Sequence, residues 1–157
     1  MTFDTDSASL LDRAAADGNE QIAVGAYVSD SSGRVLLLRR SRFEFLPGLL
    51  EIPSGAMEDG ETVAQALVRE VAEETGLSVT KIGRFVNHLD YDNDGGRRTR
   101  QLNFKVEVND LAQVRLSDEH SEWLWMSADD VEAVGLDNAM RGLLIDYFAH
   151  PQSCRCL

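Results

Sequence analysis

Residues 61–75 contain neither glycine nor proline, are rich in helix formers and are followed by Gly76. This run most constrains the fold, because it predicts a helix with a defined stop. Its last turn, "REVAEETG" (69–76), is built against local rules. Glu70, Glu73 and Glu74 stand at i, i+3 and i+4, so they share a face and repel one another. Glu73 and Glu74 also lie at the negative end of the helix dipole, where lysine or arginine is favoured. Each fault costs roughly 0.3 to 1 kcal/mol, and several faults in one turn mark a site. On a wheel of about 100° per residue, Val63, Ala64, Leu67, Val68 and Val71 form an apolar stripe. The three glutamates fill an arc that overlaps one edge of it. A merely solvated acidic face would lie opposite the stripe.

The surrounding chain alternates strands and helices. "QIAVGAYV" (21–28) reads as a strand, "SDSSGR" as a turn and "VLLLRR" (35–40) as the returning partner. "LLEIP" (49–53) is a short strand stopped by Pro53, and Ser54 and Gly55 form a tight loop after it whose carbonyls can face a cation. Strands near 79–89 and 100–108 follow, joined by the polar "DYDNDGGRR", then a strand at 121–126. Ser127 is a candidate N-cap, and "NAMRGLLIDYFAH" closes the chain's core as an amphipathic helix. Strands on either side of a central helix, with helices at the end, predict an α/β protein with a mixed sheet between helical layers. Residues 1–20 read as an acidic tail or a short helix around 10–16, residues 21–150 as one domain, and 151–157 as a tail carrying Cys154 and Cys156.

At 157 residues the chain suits one domain that buries about two-thirds of its unfolded surface. Its net charge of −12 repels a polyphosphate backbone and argues against a long nucleic-acid partner. A small anionic substrate remains compatible when a divalent cation bridges it to the protein. No apolar run approaches the ~18 residues of a membrane span. The start lacks the basic and apolar regions of a secretory leader, so the chain reads as cytoplasmic. Two cysteines one residue apart make neither a disulfide framework nor a usual zinc spacing. Clustered carboxylates beside a loop carbonyl supply the oxygen donors that Mg²⁺ prefers, and a cation would offset the repulsion within the turn.

Gly55, Glu61 and "REVAEETGL" (69–77) resemble the Nudix box GX5EX7REUXEEXGU at every fixed position, with Val71 and Leu77 as the apolar U. Nine specified positions across 23 residues make the resemblance specific. It extends over roughly 21–126, where the strands are similar to those of MutT-type nucleoside triphosphate pyrophosphohydrolases. Ser54 departs from the second glycine of many members, but a carbonyl needs no particular side chain. The resemblance implies a Nudix-type α/β/α sandwich that hydrolyses a nucleoside diphosphate linked to another group. It implies that Glu70, Glu73 and Glu74, with a carbonyl of Ser54 or Gly55, hold Mg²⁺ or Mn²⁺, and that Arg69 orients the glutamates. The resemblance also implies that the base is a box glutamate such as Glu73 or a later acidic residue. Glu119, six residues before Trp125, has the spacing of that later base or extra metal ligand; the alternative is a loop carboxylate before a strand.

The same resemblance points to Arg40 for a phosphate and Asn138 for a base edge; the alternatives are a surface charge at a strand end and an N-cap. His120 reads as a bystander, on the same side of its strand as Glu122. Arg97, Arg98 and Arg100 meet substrate phosphates or balance Asp90, Asp92 and Asp94 across a hairpin. "DYDNDGGRRTRQ" (90–101) begins like a calcium loop but ends in Gln101 between strands, so a turn explains it. Prolines stand only at 47, 53 and 151, which disfavours an ADP-ribose pyrophosphatase. The expected substrate is a nucleoside triphosphate, including oxidised or non-standard ones, cut to monophosphate and pyrophosphate by a monomer or homodimer. Competing readings are a hydrolase of ADP-ribose or a nucleotide sugar, and a non-catalytic nucleotide sensor.

Overall fold

The computed structural model describes residues 7–150; Cys154, Cys156 and the expected tail at 151–157 lie outside them. The elements are α1 (Ser7–Ala16), β1 (Gln21–Val28), β2 (Val35–Arg40), β3 (Leu50–Glu51), β4 (Ser54–Ala56), α2 (Val63–Thr75), β5 (Val79–Asp92), β6 (Arg98–Val108), β7 (His120–Met126) and α3 (Asn138–Ala149), with short 3₁₀ turns at Leu111–Gln113 and Ala128–Asp130.

The strands form two sheets. One has the order β4-β1-β6-β5 and is mixed, since β1 and β6 run parallel while the other pairs are antiparallel. The other has the order β3-β2-β7. The expected pairing of β2 with β1 therefore does not form. A single Ser29–Val35 bridge joins them, and β2 turns away to pair with β3 and β7. The physical reason is burial on both faces of β2. Leu36 and Leu38 enter one core, while Val35 and Leu37 enter the other. A continuous apolar run of this kind belongs to a strand covered on both sides.

The mixed sheet lies between helical layers. Val24, Ala26, Leu102 and Phe104 pack on one face with Leu67 and Val71 of α2, and Leu10 and Leu11 of α1 join them. On the opposite face Tyr27 packs with Leu143, Leu144 and Tyr147 of α3, the two tyrosine rings stacking with centroids 4.5 Å apart. Helix α2 starts two residues later than the pattern predicts because Thr62 takes the N-cap. Its hydroxyl accepts from Gln65 N, and the Gln65 side chain accepts from Thr62 N. Gly76, at φ 73°, ends the helix in the left-handed region. Val68, placed on the apolar stripe by periodicity, is exposed.

The β5–β6 hairpin resolves the arginine cluster in favour of charge balance. Arg100 is buried and makes paired bonds of 2.7 and 2.8 Å to Asp90 and an ion pair of 3.0 Å to Asp17. Arg97 bonds the Glu20 carbonyl, and Arg98 lies 3.7 Å from Asp92. The turn expected within residues 90–101 forms and is held by Asn93, whose side chain accepts from Gly95 N and Arg97 N.

Beneath α3 runs a chain of amides, buried at Gln101 and Asn103 and half-buried at Asn87. Gln101 donates to Asn103 (2.8 Å), Asn103 to Asn87 (3.0 Å) and Asn87 to Asp146 (2.9 Å), with the Tyr27 hydroxyl also on Asn87 (2.9 Å). The chain passes Gly25 so closely that a Cβ there would sit 2.2 Å from Asn103 Oδ1 and 2.7 Å from Gln101 Nε2. Satisfied buried networks hold their members in place, so neither amide yields cheaply. Gly25→Ala is therefore expected to cost about 1 to 3 kcal/mol by overpacking, seen as a melting temperature lower by roughly 3 to 10 °C in a thermal melt. An unchanged melt would show that the amides rearrange freely.

Candidate functional site

Helix α2 presents its acidic turn to the edge of the mixed sheet. Glu70 and Glu74, one turn apart, are buried at 9% and 4% exposure, whereas the Glu73 side chain is exposed. Strand β4 is the edge against which they lie. This strand replaces the loop expected at Ser54 and Gly55; "SGA" has no strand-like pattern, and its pairing with β1 is what makes it extended.

The register of that pairing decides where the carbonyls point. Ala26 N bonds Pro53 O and Met57 N bonds Ile22 O, so the Gly55–Val24 pair between them is also a bonded one. Gly55 thus directs its own carbonyl into the ladder. Ser54 and Ala56 direct their backbone groups outward, toward α2. Ser54 N donates to Glu74 Oε1 at 2.9 Å, and Ala56 O accepts from Arg69 Nη2 at 3.0 Å. Of the two candidate carbonyls, Ser54's is the one left facing the glutamates. Gly55 contributes differently: a Cβ at this position would lie 2.2 Å from the Glu70 carboxylate. Only glycine lets that carboxylate rest on the strand.

Arg69 ties the cluster together. Its Nε and Nη2 grip both oxygens of Glu61 (2.5 and 2.8 Å), and Nη1 reaches Glu70 Oε1 (2.7 Å) and Glu73 Oε2 (3.3 Å). The bonds from Arg69 hold Glu61 down to a pKa of about 2 and push that of Arg69 up. Glu74 has no such counter-ion. Burial pushes its pKa up to about 9, assisted by the charges of Glu51, Glu70 and Glu119 and opposed only by the Ser54 N–H. Burial also raises Glu70 despite its bond to Arg69.

Glu119 lies on an exposed turn just before β7, close enough to raise both Glu70 and Glu74. Among the described residues no three histidine, cysteine, aspartate or glutamate side chains converge into a set that could hold a metal ion. Arg69 and Ser54 N take one oxygen each from Glu70, Glu73 and Glu74. The donor chemistry nevertheless suits a hard cation: carboxylates outnumber the one cation among them, and a backbone carbonyl stands alongside.

Two participants were missed by the sequence reading. Glu51, at the end of β3, accepts from Arg40 Nη1 (3.0 Å) and bonds His120 Nε2 (2.9 Å). His120 is buried and bonded to Glu51. It does not share a side with Glu122, which pairs with Arg39 on the surface. A register shift between Arg39 and Arg40 breaks the alternation on which that expectation rested. Arg40 also donates to the Phe45 carbonyl, so it is an anchored residue at the rim. Asn138 occupies the first turn of α3 and accepts from Arg141 (3.3 Å); the N-cap there is Asp137, which accepts from Met140 N.

The structure is similar to that of the MutT protein from Methanosarcina mazei Go1, with a TM-score of 0.75 and 25% identity over 85% of this chain and 96% of that one. It is also similar to a C. elegans Ap4A hydrolase, with a TM-score of 0.68 and 26% identity over 82% and 96%. The chain is 30% identical over 111 residues to an Escherichia coli CTP pyrophosphohydrolase, covering 71% of this chain and 79% of that protein. It is 40% identical over 60 residues to an 8-oxo-dGTP diphosphatase of Proteus vulgaris, covering 38% of this chain. It is 31% identical over 114 residues to the NAD-capped RNA hydrolase NudC of Pseudomonas aeruginosa, covering 73% of this chain. The matches span only 53% and 39% of the length of those last two proteins. The Nudix domain family matches residues 19–147. The chain belongs to the Nudix family.

Proposed function

We propose that this chain is a pyrophosphohydrolase that requires Mg²⁺ or Mn²⁺ and cleaves a small nucleoside triphosphate, including oxidised or non-standard ones, to the monophosphate and pyrophosphate. The observation that carries this reading is the pair Glu70 and Glu74, buried at the edge of β4 beside the outward Ser54 carbonyl and short of positive charge. Two relatives bear on the substrate, being named for 8-oxo-dGTP and CTP. Others are named for RNA ends. The charge of −12 favours the small nucleotide, because a longer polyanion would be repelled over its whole length.

In this reading Glu70, Glu73, Glu74 and the Ser54 carbonyl hold the cation. When bound, the cation polarises the diphosphate, offsets charge building on the leaving group and makes nearby water a better nucleophile. Arg69 is a positioning residue: fixed at one end by Glu61, it sets the angle of Glu70 and Glu73. Glu73 and Glu119 are both exposed, and either serves in this reading as the acceptor of the proton from the attacking water. Arg40, bonded through Nε to the Phe45 carbonyl and through Nη1 to Glu51, contacts phosphate through its remaining nitrogen, Nη2. No contact of Asn138 supports a base-reading role.

A panel of nucleotides assayed for pyrophosphate and phosphate release with and without chelator tests the proposal. Turnover of at least one triphosphate that chelator abolishes is the expected result; binding without turnover would point to a sensor. Glu73→Gln is expected to lower kcat by at least ~10²-fold, the scale of losing a positioned acid or base, or a metal ligand. A change below about threefold, in a variant that still folds, would remove Glu73 from the chemistry.

The pKa of Glu74 sets a second test. Folded Glu74 keeps its proton up to about pH 9, while the unfolded side chain loses it in the ordinary carboxylate range. Between those two values the unfolded state binds fewer protons, so cation-free stability falls as pH rises. A cation that binds the ionised form reverses this trend. Magnesium in roughly hundredfold excess over its dissociation constant adds about 2.7 kcal/mol, or roughly 5 to 10 °C. Thermal melts across this range should therefore show magnesium stabilising more at alkaline than at acidic pH. Equal gains at both ends would dissociate Glu74 from the cation.

A further inference from the structure

We propose that Glu51 is the specificity residue of this site, a fixed acceptor that selects a guanine-type base edge, and that His120 is the positioning residue that fixes it. The inference rests on the nucleotide reading above and names the base. Arg40 Nη1 and His120 Nε2 both bond Glu51 through the same oxygen, Oε2, at 3.0 and 2.9 Å. Two donors on Oε2 lock the carboxylate plane and leave Oε1 outside both bonds. The Glu51 side chain keeps 14% exposure, so the carboxylate is not sealed from solvent. His120 serves no other described partner: its side chain is 1% exposed and its Nδ1 has no hydrogen bond. A buried imidazole with one ring nitrogen unmet is costly, and the bond to Glu51 is the contact that accounts for its place.

The position suits a base. β3 leads into β4 through Ile52 and a bend at Pro53, so Glu51 lies three residues before Ser54. Three extended residues span at most about 10 Å, the order of distance between a nucleoside's 5′-phosphorus and the edge of its base. With the diphosphate held at Ser54 and α2, the base falls within reach of Glu51. Half-buried Tyr91 lies close to both Glu51 and Arg40 and forms part of the same rim.

A carboxylate oxygen only accepts. Guanine offers it two adjacent donors, the ring N1–H and the 2-amino group. Adenine and cytosine present an unprotonated ring nitrogen beside their amino group, and uracil flanks its ring N–H with two carbonyls. In each of these a lone pair faces the negative oxygen. Oxidation of guanine at C8 leaves the selected edge unchanged, so Glu51 accepts both forms.

The test compares GTP with its N1-methyl derivative, which blocks the ring donor. For the wild-type protein kcat/KM is expected to be at least ~10-fold higher for GTP, the scale of one good base-edge contact. Glu51→Ala should bring that ratio to within about twofold of one, and His120→Phe should lower it by weakening GTP turnover more than that of the methylated substrate. A purely structural role for either residue would lower both substrates alike. A wild-type ratio near one overturns the assignment even if both substrates are hydrolysed, and the enzyme reading then stands. Calorimetric titration of the wild-type protein with GMP and N1-methyl-GMP separates the converse: tighter GMP binding without hydrolysis of any nucleotide would sustain Glu51 as the reader and sink the enzyme. Equal binding of both monophosphates would overturn the Glu51 assignment by itself.

Discussion

One guanidinium holds the acidic turn together. Arg69 bonds Glu61, Glu70, Glu73 and the Ala56 carbonyl at once, and so joins the entry of α2, its last turn and the edge of β4. A single positive charge cannot neutralise that many carboxylates, and Glu74, which it does not reach, is left with the largest upward shift in the cluster. The local faults of the turn survive because the fold supplies what the helix lacks. The arginine fixes the exposed part, and a glycine lets a carboxylate pack on backbone. Glu61 and Gly55 thus serve one end, since one anchors the arginine and the other makes room for the carboxylate it orients.

The parts of this arrangement that were legible in the sequence are those written in short-range spacing. The stop follows from glycine at position 76, and the shared face of Glu70 and Glu74 from the helical period. The exposure of Glu73 and Val68 marks the limit of that reasoning, because the width of a buried face depends on what packs against it. Strand β4 was not legible for a stronger reason. Three residues, "SGA", carry no period, and they are extended only because β1 offers an edge. Glu51 and His120 stand 69 residues apart, and the bond between them depends on the bulge at Arg39 and Arg40, which no local pattern announces. Long-range polar contacts across an irregular register are where reasoning from alternation fails.

The two sheets divide the work. The mixed sheet, through β4, backs the carboxylates of α2, and its far face is sealed by α3 over the amide chain from Gln101 to Asp146. The three-stranded sheet delivers Arg40, Glu51 and His120 from three different strands to one point. The link between the sheets that bears on the site is the stretch from Glu51 to Ser54, where the chain leaves β3 and enters β4. Any shift of one sheet against the other is felt there first, because residues at both of its ends hold bonds to other elements.

That link also brings together two glutamates of unlike surroundings, Glu51 three residues before Ser54 and Glu74 bonded to the Ser54 N–H. Glu74 faces backbone and other carboxylates, so its charged form is disfavoured until something positive arrives. Glu51 accepts bonds from Arg40 and His120, which fix its orientation. The first environment suits a group whose partner comes and goes with the substrate. The second suits a group that must present the same oxygen to every ligand. Environment separates the two roles here, since the side chains are chemically identical, and the separation costs the fold one imidazole buried with an unmet nitrogen.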